Sequence, residues 1–467
     1  MSEKSTPVYP SGTRGGITDR FPRSRSNRSR RPTCDGGPSL THHTLKVLDG
    51  QRPGGATPPD PGAIPGRVPA RSLYIHTPFC FHKCHYCDFY SIVDQQDRMP
   101  RFVDALIREL EIAAIWSRAP DGADAPLETI FIGGGTPTLL PTGLWDRLLG
   151  ALHESFDCSL MHRGARGEFT VECNPETATP ELMATLARGG VNRLSIGAQS
   201  FDPAHLKTLE RWHDPESVSR AVGLAHDAGI LRTSVDLIYA IPGQTVSEAL
   251  ADVDRAIALG TEHVSAYSLT YEPGTAMTAR LERGEFEPTD EDTDARMFEA
   301  IADRLAAHGL RRYETSNFAR PGAECRHNLA YWRQRQWIAA GPSASAHLAG
   351  YRWKNTPRLA TYLDALERGD ACPVTDLETP DPGRALAERI MTGLRLSDGL
   401  DAASVMAVAR RLAPGTAATL IDAVNALREA GLLRERGTAR ADRWILTRRG
   451  AMLADRIASE LMAIVDP

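Results

Sequence analysis

Apolar positions change rhythm repeatedly between Leu73 and Thr270. Short runs rich in β-branched and aromatic residues predict strands at LYIH (Leu73–His76), TIFIGG (Thr129–Gly134), FTVECN (Phe169–Asn174), RLSIGAQ (Arg193–Gln199), TSVDLIYA (Thr233–Ala240) and HVSAYSLT (His263–Thr270). Between them, spacings of three and four predict helices over Arg101–Trp116, Thr142–Phe156, Pro180–Arg188, Pro215–Ala228, Val246–Leu259 and Thr289–His308. Strand and helix alternate, so the class is α/β, a parallel sheet with right-handed crossovers. Six strands suit either a partial barrel or a doubly wound sheet.

The flanking segments follow other patterns. Residues 1–67 hold RFPRSRSNRSRRP (Arg20–Pro32) and GGATPPDPGAIPG (Gly54–Gly66), too little apolar area to offset the entropy of ordering. They are expected to form a disordered tail, with the folded part beginning near Val68. A transit-like or nucleic-acid-binding arm is the alternative, but no amphipathic period supports it. The expected domains are a core over residues 68–310, an extension over 311–382 and a C-terminal module over 383–467. That module reads as three helices, a strand and turn in RWILTRRG (Arg443–Gly450), and a closing helix, a winged-helix-like layout.

Composition narrows the function classes. A 42% hydrophobic share supports a sizeable core, and a net charge of −5 gives no overall nucleic-acid footprint. In the C-terminal module Arg434, Arg436, Arg440, Arg443, Arg448 and Arg449 are interspersed with Glu435 and Asp442, so no nucleic-acid partner is expected. No apolar run reaches the roughly 18 residues of a membrane span. Eight cysteines in 467 residues fit a reducing compartment. A cytoplasmic protein is the expectation.

Chemistry concentrates in LYIHTPFCFHKCHYCDFYS (Leu73–Ser91), where Cys80, Cys84 and Cys87 are spaced C-x-x-x-C-x-x-C just after the first strand. Three thiolates are one ligand fewer than a closed zinc site or most iron–sulfur clusters use, which suggests a coordination position left for a non-protein group. A zinc site completed by His76, His82 or His85 is the alternative. Other polar or glycine-rich features fall at the ends of the strands: GGGTPT (Gly133–Thr138) after the second, Glu172 in the third, Gln199 ending the fourth and Asp236 in the fifth. Ligands of parallel α/β folds bind at that rim. Glycines let backbone approach a ligand closely, and a buried carboxylate needs a cation or donors.

The cysteine spacing followed by an aromatic resembles the radical S-adenosylmethionine superfamily. YIHTPFC, FIGGGTPT, VECNPE, RLSIGAQSF, DLIYAIPGQT and YETSNFA, over roughly residues 70–460, resemble the family of the anaerobic coproporphyrinogen III dehydrogenase and its heme-chaperone relatives. The resemblance implies a partial (β/α)6 barrel with the winged-helix-like module appended. It implies a 4Fe–4S cluster on Cys80, Cys84 and Cys87, with S-adenosylmethionine on the open iron. Tyr74, Tyr86, Gly134, Gly135, Thr136, Glu172, Gln199, Arg211 and Asp236 match positions that contact S-adenosylmethionine, Arg211 suiting the ligand carboxylate.

Two positions separate the branches of that family. The dehydrogenase carries a fourth cysteine where this chain has Phe89, and the chaperones carry H-N-x-x-Y-W, here His327, Asn328, Tyr331 and Trp332. A histidine among flat aromatics suits heme, as an axial imidazole beside a stacking surface; Cys325 is an alternative thiolate that the resemblance does not require. The expectation is a heme chaperone delivering heme to acceptor hemoproteins such as respiratory enzymes, served by an external electron donor. It is expected to cleave S-adenosylmethionine and not to be a coproporphyrinogen dehydrogenase. The alternative is that dehydrogenase, which decarboxylates two propionates oxidatively.

Overall fold

Alternation along each predicted strand is realised as a sheet with one apolar and one polar face. The computed structural model describes residues 57–162, 166–437 and 442–466; most of the expected tail, residues 1–56, lies outside them. The first half runs β1 (Ser72–Thr77), α1 (Met99–Ala113), β2 (Thr129–Gly134), α2 (Thr142–Ser155), β3 (Glu168–Cys173), α3 (Pro180–Arg188), β4 (Arg193–Gln199), α4 (Pro203–Thr208), α5 (Glu216–Asp227), β5 (Arg232–Tyr239), α6 (Val246–Ala258) and β6 (His263–Ser268). Each strand from β1 to β6 pairs in parallel with the next. Leu73, Ile75, Ile130, Ile132, Val171, Leu194, Ile196 and Val235 share one face and are wholly buried in the main core. The side-chain period of two therefore turns Tyr74, Phe131, Thr170, Ser195, Asp236 and Ser265 to the other face, into the barrel.

Helix ends are set locally. Thr179 caps α3, and Thr245 with Glu248 forms a capping box on α6. Burial of the apolar stripe of each helix against the sheet then supplies most of the stabilisation.

The chain continues through α7 (Ala276–Glu282), α8 (Glu291–Ala307), β7 (Arg311–Arg312), β8 (Asn317–Ala319), α9 (Arg326–Trp332) and β9 (Ile338–Ala340). These short strands extend the sheet to nine, ordered β7-β8-β6-β5-β4-β3-β2-β1-β9. β8 runs antiparallel to β6, and β9 runs parallel to β1. The connection between them, α9, therefore lies at the end where β1–β6 begin. An antiparallel sheet follows, built from β10 (Ser345–Leu348), β11 (Tyr351–Asn355) and, after α10 (Leu359–Glu367), β12 (Val374–Glu378). The buried Glu109 of α1 ties this part to the barrel, accepting from Gly341 N at 2.7 Å, Asn355 Nδ2 at 2.6 Å and the Tyr362 hydroxyl at 2.6 Å.

The C-terminal part comprises α11 (Pro382–Leu394), β13 (Leu400–Asp401), α12 (Ala402–Ala409), α13 (Thr416–Glu429), β14 (Leu433–Gly437), β15 (Asp442–Leu446), α14 (Arg448–Ala451) and α15 (Ala454–Val465). It buries its own core around Leu386, Ile390, Leu420 and Leu461. Its three strands pair antiparallel in the order β13-β15-β14. Arg448 forms ion pairs with Glu299 and Asp303 of α8. The architecture is thus a partial parallel barrel with a helical, winged-helix-like end, the class read from the sequence.

Candidate functional site

The loop after β1 carries the three cysteines across the mouth where the parallel strands end. Its entrance is fixed by backbone pairing: Gly135 N donates to Thr77 O and Thr136 N to Phe79 O, each at 2.7 Å, while Cys80 N donates to Ile92 O at 2.9 Å. Thr136 Oγ1 donates to Cys80 Sγ at 3.6 Å, and Arg211 Nη1 to Cys84 Sγ at 3.8 Å. Burial pushes the Cys80 thiol up and the Cys87 thiol to about 11, and the cysteines repel one another as thiolates. These neighbouring thiols, with a guanidinium touching one, fit a cationic inorganic centre that would hold them deprotonated.

The donor set discriminates between centres. Among the described residues no three His, Cys, Asp or Glu side chains converge closely enough to hold a single ion. A zinc ion needs that convergence, with Zn–S near 2.3 Å, whereas a cluster presents its irons to thiolates set farther apart. Of the histidines available to complete a zinc site, His76 is bonded at both ring nitrogens, whereas Nε2 of His82 is buried without a partner. His82 stacks on Trp212 at 3.9 Å between centroids, and His85 Nδ1 faces Arg280 at 3.3 Å. His76 Nε2 donates to Tyr90 O at 2.8 Å while its Nδ1 accepts from the Tyr74 hydroxyl at 3.0 Å.

Beside the loop, GGGTP is built for close approach. A Cβ on Gly133 would lie 2.7 Å from the Glu172 carboxyl carbon, and one on Gly135 would lie 2.6 Å from Phe79 O. Gly134 adopts φ +108°, which favours glycine, and its N–H donates to Glu172 Oε2 at 3.0 Å. Glu172 is pushed up to about 8 by burial, with the nearby Asp236 adding to the shift. Asp236 is also raised, chiefly by burial, and accepts from Ser195 Oγ at 3.0 and 3.2 Å. Two buried carboxyls with few donors form a receptor for a cation or hydroxyls.

Arg211 completes the group. Its Nη2 donates to Gly197 O at 2.9 Å and its Nε to His213 Nδ1 at 3.2 Å, so it is held between β4 and the cysteine loop. Gln199, at φ +64°, turns the chain out of β4 next to it. Tyr86 lies within the cysteine loop beside Arg211 and Cys84, its hydroxyl raised by burial. Tyr74 lies deeper in the barrel on β1. Cys80, Cys84, Cys87, Tyr86, Gly134, Gly135, Thr136, Glu172, Gln199, Arg211 and Asp236 are therefore brought together.

His327, Asn328, Tyr331 and Trp332 are not part of that assembly. They lie on α9, at the mouth where β1–β6 begin. His327 is 1% exposed; its Nδ1 shares a hydrogen bond of 2.8 Å with Oγ1 of Thr129, the first residue of β2, and its Nε2 one of 2.8 Å with the Tyr331 hydroxyl. Its ring stacks on Phe131 at 5.3 Å, and burial lowers it to about 3. Its backbone N–H donates to the buried Glu168 at 3.1 Å, as does the Cys325 thiol at 3.5 Å. The six residues of β2 separate this mouth from the GGG turn by about 17 Å. Sequence reasoning did not pick out Thr129 or Glu168, although both occupy inward positions of the alternation.

Comparison with known proteins agrees with this geometry. Residues 74–256 match the model of the radical SAM superfamily. A protein named heme chaperone HemW from Mycobacterium tuberculosis is 37% identical over 409 residues, 86% of this chain and 98% of that protein. The chain belongs to the radical SAM superfamily, in its HemW-related family. A heme chaperone HemW from Lactococcus lactis is 39% identical over 63% of this chain and 74% of its own length. S-adenosylmethionine and an iron–sulfur cluster are the cofactors expected of this family, and the cysteine mouth offers residues fitting both.

One expectation is corrected here. The solved coproporphyrinogen III oxidase (HemN) from Escherichia coli, described as a radical SAM enzyme, matches with TM-score 0.69 and 22% identity, covering 85% of this chain and 91% of that one. The sequence sets that enzyme aside on two features, Phe89 in place of a fourth cysteine and the H-N-x-x-Y-W residues from His327 to Trp332. That exclusion falls, because the shared fold extends well beyond the barrel and Phe89 is a loop residue, 59% exposed, whose identity leaves the architecture unchanged. No helix among the described residues is long and apolar enough to cross a membrane.

Proposed function

We propose that this radical SAM protein binds heme and hands it to acceptor hemoproteins, using its cluster and S-adenosylmethionine in that task. The single observation that carries this reading is the 37% identity with a protein named heme chaperone HemW over 98% of that protein's length. The H-N-x-x-Y-W residues support it chemically, since they combine an imidazole with aromatic surface.

When bound, a reduced 4Fe–4S cluster supplies the electron that splits the sulfonium of S-adenosylmethionine. The chain's own residues prepare that site. Cys80, Cys84 and Cys87 would hold the cluster and leave one iron open. Glu172 and Asp236 would receive the ligand ammonium and ribose hydroxyls, Arg211 its carboxylate, and the backbone of Gly133–Gly135 would lie against it. His327 would ligate heme iron only after giving up Thr129 or Tyr331, so uptake on this reading includes a movement of α9.

A second reading, oxidative decarboxylation of coproporphyrinogen III, is favoured by the fold match with the solved oxidase. One anaerobic experiment tests both. Reconstituted protein is given hemin and an apo-hemoprotein in one arm, and coproporphyrinogen III with S-adenosylmethionine and reductant in the other. Heme gained by the acceptor supports delivery; protoporphyrinogen formed in the second arm supports the oxidase, and absence of heme transfer overturns the chaperone reading.

A further inference from the structure

At the mouth capped by α9, three guanidiniums share one carboxylate. Glu128, just before β2, meets Arg71 at 2.7 Å, Arg335 at 3.4 Å and Arg326 at 3.8 Å. Among the described residues no other carboxylate lies within ion-pair distance of any of the three. The side chains of Arg71, Arg326 and Arg335 are 43%, 38% and 57% exposed, whereas that of Glu128 is 24% exposed. Two positive charges are thus left over, with guanidinium N–H groups turned to solvent.

Their setting is specific. Arg326 opens α9 directly before His327, and Arg335 follows the helix three residues after Trp332. Between them in the chain Leu329 and Trp332 are only half-buried, so α9 offers apolar surface as well as cations. Arg326 also donates to the Arg166 carbonyl, and Arg71 to Pro126 O at 3.1 Å, which fixes both heads. Exposed ion pairs contribute little to stability, so a second and third arginine on a single carboxylate is poorly explained as a fastening.

We infer that Arg71, Arg326 and Arg335 form a docking site for the propionate carboxylates of a tetrapyrrole, whose apolar ring lies against Leu329 and Trp332. The inference rests on the reading that this protein handles a tetrapyrrole. Two surplus charges match the two propionates on one edge of heme, and guanidinium forks suit carboxylates in two-point contact. Docking needs only solvent-facing groups, so it precedes any contact between iron and the closed His327. Coproporphyrinogen carries these two propionates and two more, and the two sources are separated experimentally.

Full-length reconstituted protein is titrated anaerobically with hemin, hemin dimethyl ester and coproporphyrinogen III. The wild type is expected to bind hemin about tenfold or more tighter than the ester, with affinity falling as salt rises. Arg326→Gln with Arg335→Gln is expected to remove that preference while leaving affinity for the ester unchanged. Glu128→Gln, which frees the guanidiniums, is expected to strengthen hemin binding, an effect opposite to that of a lost structural fastening. Equal affinities for acid and ester in the wild type, or an unaltered preference in the double variant, overturns the docking site while hemin binding itself keeps the heme reading intact. Binding of coproporphyrinogen alone, lost in the double variant, keeps the site and assigns it to the other tetrapyrrole. Binding of none of the three overturns the site and the heme reading together.

Discussion

Oγ1 of Thr129 and Nδ1 of His327 lie 2.8 Å apart, joining the first residue of β2 to the helix that closes the barrel beneath it. With Tyr331 on the other nitrogen, the imidazole is fully bonded and held neutral, lowered to about 3 by burial. An unfolded histidine titrates near 6.5. Between those values the unfolded chain binds a proton that the folded chain does not, so stability is fully present above about pH 6.5 and falls as pH drops. The slope from this group is about 1.4 kcal/mol per pH unit. His76, lowered to about 4 by burial, acts in the same direction. Denaturant midpoints measured from pH 7.5 to 5 should fall with pH, and His327→Gln should flatten the curve.

Glu172 has the opposite displacement. Raised to about 8 by burial and by Asp236, it is largely protonated at pH 7 before ligand binds. A cationic ligand favours the carboxylate, so binding should release a proton and tighten as pH rises toward about 8. Titration calorimetry of S-adenosylmethionine in buffers of different ionisation heat should detect that proton. Glu172→Gln should abolish the release and weaken binding about tenfold or more.

Space decides the effect of changes in the glycine turn. Gly133→Ala puts a methyl 2.7 Å from the Glu172 carboxyl carbon, so carboxylate or turn must move. S-adenosylmethionine affinity should fall at least about tenfold with the fold retained in circular dichroism. Gly150→Ala, on an exposed position of α2 with nothing within 4 Å of the added carbon, should leave binding unchanged. It should stabilise the protein by about 0.5–1 kcal/mol through helix propensity alone.

Cys84→Ala should abolish the visible absorbance and most of the iron of the reconstituted protein. Cys158→Ala and Cys372→Ala, on buried thiols away from the loop, should keep both. Iron retained in the first variant would remove Cys84 from the ligand set.

The parts of this design visible in the sequence were those set by local rules. β2, β4 and α3 span the predicted Thr129–Gly134, Arg193–Gln199 and Pro180–Arg188. The clustering at the cysteine mouth was legible where its residues fall within or next to consecutive strand ends, which leaves out Arg211, between α4 and α5. β7, β8 and β9 were not, because two or three residues carry no period; they are strands only through pairing with β6 and β1. For the same reason the position of His327 was hidden. The motif told what α9 contains, but the reversal at β8 and the return along β9 decide which mouth it closes.

That separation by the length of a strand restricts what the two mouths can exchange. His327 is nonetheless joined to the other mouth through side chains: its ring lies 6.4 Å from that of Tyr74, whose hydroxyl bonds His76 beside Gly134. Electrons, or a shift of the helix transmitted along β2, can cross the same interior. The barrel interior would then act as a conductor for charge or motion.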